Sequence, residues 1–139
     1  METREPLETI LVVDDNRFIL ELVVAILKRQ NYRVLSASSG DAALEIAASH
    51  SLDMLLADVQ MPIMTGPELA RRLRRQMPEL HILLMSGGAT REDFDAEDWH
   101  FLEKPFSPTI LVRTLRKILH TPGRLKREMA NVALEMHAS

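Results

Sequence analysis

The chain has 139 residues, a formal net charge of -3 and no cysteine. That length suits one domain with its own core and leaves no room for a second of ordinary size, and the missing cysteines exclude disulfides and thiolate metal sites. The nearly balanced charge exerts no global pull on nucleic acid or acidic membranes, so any partner has to be read from local features.

The first predicted element is a strand over residues 9–14. A helix over 17–30 follows, with Ile19, Leu22, Val23, Ile26 and Leu27 at helical spacing. A second strand spans 32–36, and a helix over 41–49 carries Leu44, Ala47 and Ala48. The stretches "DMLLAD" at 53–58 and "HILLMS" at 81–86 are continuously apolar, as strands buried on both faces are. Between them Thr65, Gly66, Pro67 and Glu68 supply an N-cap, a first-turn proline and a capping-box glutamate for a helix over 66–76, which carries Leu69 and Leu73. After a weak fourth helical segment come a strand over 100–103 and a helix over 108–120, with Leu111, Leu115, Ile118 and Leu119 on one face. Strands alternating with amphipathic helices predict an α/β fold, a doubly wound parallel sheet of five strands. No apolar run approaches the roughly 18 residues of a membrane span, and "METREPLETI" is too charged for a secretory leader. The expectation is a cytoplasmic protein with no membrane partner.

In an open parallel sheet, chemistry collects outside the carboxyl ends of the strands. Here those ends carry Asp14 and Asp15, Asp58, Ser86 and Lys104. Three neighbouring carboxylates repel one another and tend to hold protons unless a hard cation sits among them, and Mg²⁺, which prefers oxygen ligands, fits. A carboxylate beside Mg²⁺, with a hydroxyl and an ammonium ready for phosphoryl oxygens, can attack phosphorus and become an aspartyl phosphate. Asp58 stands alone at its strand end and is the best nucleophile, and the Asp14/Asp15 pair is better suited to the metal. Each residue also has an ordinary role: Asp15 as a helix cap, Asp58 and Ser86 as turn formers, Lys104 as surface. Their conjunction at successive strand ends favours the chemical reading.

The pieces "LVVDDN", "LLADVQMPIMTG", "LLMSGG" and "FLEKPF" occur in an order that resembles the receiver domain of two-component response regulators, over about residues 8–120. The resemblance implies a flavodoxin-like (βα)5 fold with Asp58 as phospho-acceptor. It implies Mg²⁺ held by Asp14, Asp15, Asp58 and the backbone carbonyl of Gln60, Ser86 and Lys104 on the phosphoryl group, Phe101 as the aromatic switch, and a cis Lys104-Pro105 bond. The implied partners are a sensor histidine kinase or phosphotransfer protein upstream and an effector or attached output domain downstream. Such a chain is no enzyme beyond assisting its own phosphorylation and dephosphorylation. Alternatives are a degenerate receiver acting as a scaffold and a haloacid-dehalogenase-like phosphatase. The latter has a second aspartate two residues after a first-strand nucleophile, a spacing that Asp14-Asp15-Asn16 lacks.

The chain departs from that pattern between Ser86 and Lys104, where only 17 residues stand, one helical turn short of a typical receiver, so the fourth helix is expected to be shortened. Five acids, Glu92, Asp93, Asp95, Glu97 and Asp98, crowd this stretch near Trp99, and the default expectation is a solvated loop. Arg71, Arg72, Arg74 and Arg75 make the third helix basic, but with no aromatic platform they read as a solvated face, not a nucleic-acid site. The receiver is expected over 1–121. The remaining 122–139 form a helical tail or linker in which Leu125, Met129, Val132 and Met136 make a heptad-like stripe, enough for a weak homodimer but too short for an output domain.

Overall fold

The computed structural model describes residues 8–88 and 97–120. In chain order they form β1 (Thr9–Val13), α1 (Arg17–Arg29), β2 (Arg33–Ala37), α2 (Gly40–Ala47), β3 (Met54–Asp58), α3 (Gly66–Gln76), β4 (His81–Ser86), β5 (His100–Glu103) and α4 (Pro108–Leu119). All strand pairs are parallel, in the order β2-β1-β3-β4-β5, so the fold is the doubly wound, flavodoxin-like sheet. The fourth helical segment expected before β5, with Glu92, Asp93 and Asp95, and the tail with Leu125, Met129, Val132 and Met136 lie outside the described residues.

Side chains alternate across each strand, and the two faces make two cores. Leu11, Val13, Leu55, Ala57, Ile82 and Leu84 face α2 and α3, whereas Ile10, Val12, Met54, Leu56, Leu83 and Met85 face α1 and α4. Burial on both sides explains why β3 and β4 are apolar without alternation. No helix among the described residues is long and apolar enough to cross a membrane.

Two helix faces differ from expectation. α1 buries Leu20, Val23 and Leu27, with Ile19 and Ile26 at the margins and Leu22 46% exposed. α2 buries Gly40, Ala43 and Ala47, not Ala48. In both helices the apolar residues cover more than the stripe that meets the sheet, and packing chooses which part goes inside. The helix-start signals hold: Thr65 Oγ1 accepts from Glu68 N at 3.3 Å, with Pro67 in the first turn.

Candidate functional site

Register brings the strand ends together. Val13 pairs with Ala57, Asp58 with Met85 and Ser86 with Glu103, so Asp14, Asp58, Ser86 and Lys104 leave the sheet at one edge. The ladder continues past the strands: Asp14 N donates to Ala37 O (3.3 Å), Val59 N to Met85 O (2.9 Å) and Lys104 N to Ser86 O (2.8 Å). Lys104 Nζ consequently lies 3.0 Å from Asp58 Oδ2 and 3.6 Å from Asp14 Oδ2. Asp14, Asp15 and Asp58 each place a carboxylate oxygen within 4.8 Å of the others. Ser86 is buried at the end of β4, and the Lys104-Pro105 bond is cis.

The ordinary roles are divided among neighbours. Asn16, not Asp15, caps α1, its side chain accepting from Ile19 N at 3.2 Å. Asp14 Oδ1 accepts from Asn16 N at 2.9 Å, and Asp15 stays exposed beside it. Asp58 does form a turn, Oδ1 accepting from Gln60 N at 3.2 Å, and this leaves Oδ2 to Lys104. Asp14 is fully buried, and burial raises its pKa above the usual carboxylate value; Asp58 and Asp15 push the same way, against the Asn16 N–H and Lys104. Its Oδ2 has no hydrogen-bond partner among the described residues. A buried carboxylate oxygen with no hydrogen bond, facing Lys104 at 3.6 Å and two more carboxylates, is what a hard cation satisfies, and the donor set fits Mg²⁺.

The loop from Asp58 to α3 is pinned from below. Met61 and Met64 are buried, and Met64 crosses Gly40 so closely that a Cβ there would lie 2.6 Å from its sulfur. Gly66 N donates to Val59 O at 3.0 Å, and a Cβ on Gly66 would stand 2.2 Å from the Asp58 carbonyl oxygen. In the sequence Gly66 stands out as part of a helix-start signal and as the last residue of "LLADVQMPIMTG", and nothing local announces this tertiary contact. Gln60 stands exposed on the pinned loop, and Phe101 is half-buried on β5, packed against the α2/α3 core.

The response regulator receiver domain pattern matches residues 10–116. The chain belongs to the response regulator receiver family. This receiver is 36% identical to PhoP, the alkaline phosphatase synthesis transcriptional regulatory protein of Bacillus subtilis, over 79% of the chain and 48% of PhoP. It is also 36% identical to the sensor kinase CckA of Brucella abortus, over 80% of the chain but 12% of CckA. Among solved structures, the chemotaxis protein CheY4 of Vibrio cholerae superposes with a TM-score of 0.76 at 31% identity, covering 81% of the receiver and 99% of CheY4. The receiver thus spans about half the length of PhoP and nearly all of CheY4.

Proposed function

We propose that this receiver accepts a phosphoryl group on Asp58 from the phosphohistidine of a sensor histidine kinase or phosphotransfer protein. The observation that carries the reading is Lys104 Nζ at 3.0 Å from Asp58 Oδ2, beside the acidic cluster of Asp14, Asp15 and Asp58. Asp58 attacks phosphorus, the phosphorus–nitrogen bond to the donor imidazole breaks, and the bond pair returns to that ring. Lys104 and the Ser86 hydroxyl receive the phosphoryl oxygens. Mg²⁺, held by Asp14, Asp15, Asp58 and the Gln60 carbonyl, supplies compensating positive charge when bound. The added negative charge draws Ser86 and Lys104 toward the phosphoryl group, and Phe101, on the strand leading to Lys104, repacks and changes the surface shown to an effector or attached output domain.

Intact mass after treatment with acetyl phosphate and Mg²⁺ tests this. One phosphoryl group is expected on the wild-type chain, none with excess chelator and none on Asp58→Asn. An acid-labile adduct of equal yield on Asp58→Asn would remove Asp58 from the mechanism.

The surface flanking Lys104 suits a protein donor. A cleft lined by Ile19, Leu22, Val23, Lys104, Pro105 and Phe106 opens beside the site; Leu22 is 46% exposed, and Phe18, 72% exposed, stands four residues before it, one turn along α1. Exposed apolar residues grouped beside a reacting centre are docking residues in the reading that fits best. Phe18→Ala is expected to slow phosphotransfer from a purified phosphotransfer domain roughly tenfold, as loss of an apolar anchor does, with acetyl phosphate labelling unchanged. Equal slowing with both donors would exclude a docking role.

A further inference from the structure

Between Ser86 and Lys104 the chain returns from the end of β4 to the start of β5, and the last residues of that path are held by α3. Arg74 donates from Nε to the Leu80 carbonyl at 2.6 Å and from a terminal nitrogen to Asp98 Oδ1 at 2.7 Å. Three residues earlier, on the same helix face, the Arg71 guanidinium lies 5.3 Å from the centre of the Trp99 ring and 3.5 Å from the Glu97 carboxylate. Trp99 is buried in the core cluster that contains Leu73, Ile82 and Leu84. Arg71, Arg72 and Arg75 are exposed, as a solvated face requires, and Arg74 is half-buried; Arg71 and Arg74 in addition contact the connection. Asp98 is exposed, as expected of a solvated segment, and Glu97 half-buried, and each also pairs with an arginine; the Arg74 hydrogen bond holds Asp98 below the usual carboxylate range.

The other end of α3 touches the phospho-acceptor, through the close approach of Gly66 to the Asp58 carbonyl. One helix therefore meets Asp58 at its N-terminus and the start of β5 through two guanidinium groups further along. β5 has four residues and pairs on one side only, at the edge of the sheet, so its ladder alone holds it weakly. It carries Phe101, and Lys104 follows it directly.

We infer that Arg71 and Arg74 are positioning residues of the phosphoryl site, which act through Glu97, Asp98 and Trp99 to hold β5, and with it Lys104, against Asp58. The effect on phosphorylation rests on the function proposed above; the hold on β5 does not. The guanidinium fork matters because it serves the Leu80 carbonyl and the Asp98 carboxylate together, which a lysine ammonium at that place does not do. Tension at the clamp is felt in the strand between the two residues that receive the phosphoryl oxygens.

Three variants test it: Asp98→Ala and Arg74→Lys break the clamp, and Asp98→Glu keeps its charge. At saturating acetyl phosphate with Mg²⁺, the first two are expected to be phosphorylated roughly three- to tenfold more slowly than wild type, within the lower part of the range of coupling between residues in contact, with the half-saturating donor concentration unchanged. Asp98→Glu should recover most of the rate. Emission from Trp99, the sole tryptophan, should shift to the red in the two clamp-breaking variants, and amides of residues 100–103 should exchange faster. Wild-type rates in both variants, with only a lower melting temperature, would reduce the clamp to a structural tie and overturn the inference. If the wild-type chain takes no phosphoryl group, the reading of Asp58 fails by itself. Exchange and emission then decide the clamp, and unchanged values in both variants overturn it too.

Discussion

Asp14→Asn is expected to stabilise the metal-free chain while abolishing its response to Mg²⁺. Asp14 is fully buried, its Oδ2 lacks a hydrogen-bond partner among the described residues, and burial raises its pKa from an ordinary 3.8. A carboxyl with a folded pKa above its unfolded value binds its proton more tightly in the native state. Its effect on stability is therefore most favourable below the unfolded value, declines as pH rises through the interval up to the folded value, and stays unfavourable above it. Metal-free protein should accordingly lose stability as pH rises above about 4, through this group. The near-isosteric amide carries no charge and should recover about 1–3 kcal/mol at neutral pH, several degrees in melting temperature. Mg²⁺ should raise the wild-type melting temperature by binding the native state alone, and leave that of the variant unchanged. Phosphorylation should fall at least the roughly 10–100-fold that loss of even an outer-shell metal partner costs. Thermal melts at pH 5 and pH 8, with and without Mg²⁺, make the comparison. A variant less stable than wild type at both pH values and equally responsive to Mg²⁺ would contradict the assignment.

Gly66→Ala is expected to damage both fold and site. The added Cβ would lie 2.2 Å from the Asp58 carbonyl oxygen, 3.0 Å from its carbon and 3.2 Å from Val59 Cα. All three are backbone atoms, so no side chain can swing away and the loop or the helix has to move. Overpacking of this kind costs about 1–3 kcal/mol, and each kcal/mol lowers the melting temperature of a domain of this size by roughly 4 °C, between the values for smaller and larger domains. The displaced group is the proposed phospho-acceptor, and a shift near 1 Å at a reacting centre can cost about 100-fold in rate. Labelling by acetyl phosphate should therefore fall much further than the loss of folded protein explains. Gly88→Ala is the control: a Cβ there meets nothing within 4 Å, and stability should stay within about 0.5 kcal/mol of wild type. Near-normal labelling of Gly66→Ala would show that α3 can retreat without moving Asp58.

Much of this was legible before folding is considered. Apolar runs ending in Asp14, Asp58 and Ser86, and the lysine before Pro105, mark strand ends because burial of a strand stops where polar groups start, and in a parallel sheet those ends face one edge. Thr65 and Pro67 announce α3 because capping is local chemistry. The tertiary structure decided what depends on partners distant in the chain. Asn16 caps α1 and so frees Asp15, Leu22 rotates outward while Leu20 goes in, and Gly66 meets Asp58. Arg74 finds Asp98, 24 positions away, and Lys104 finds Asp58, 46 positions away. The physical reason is that periodicity records which face of an element is apolar, whereas the register between strands and the turn of each helix on the sheet are set by packing the whole core at once.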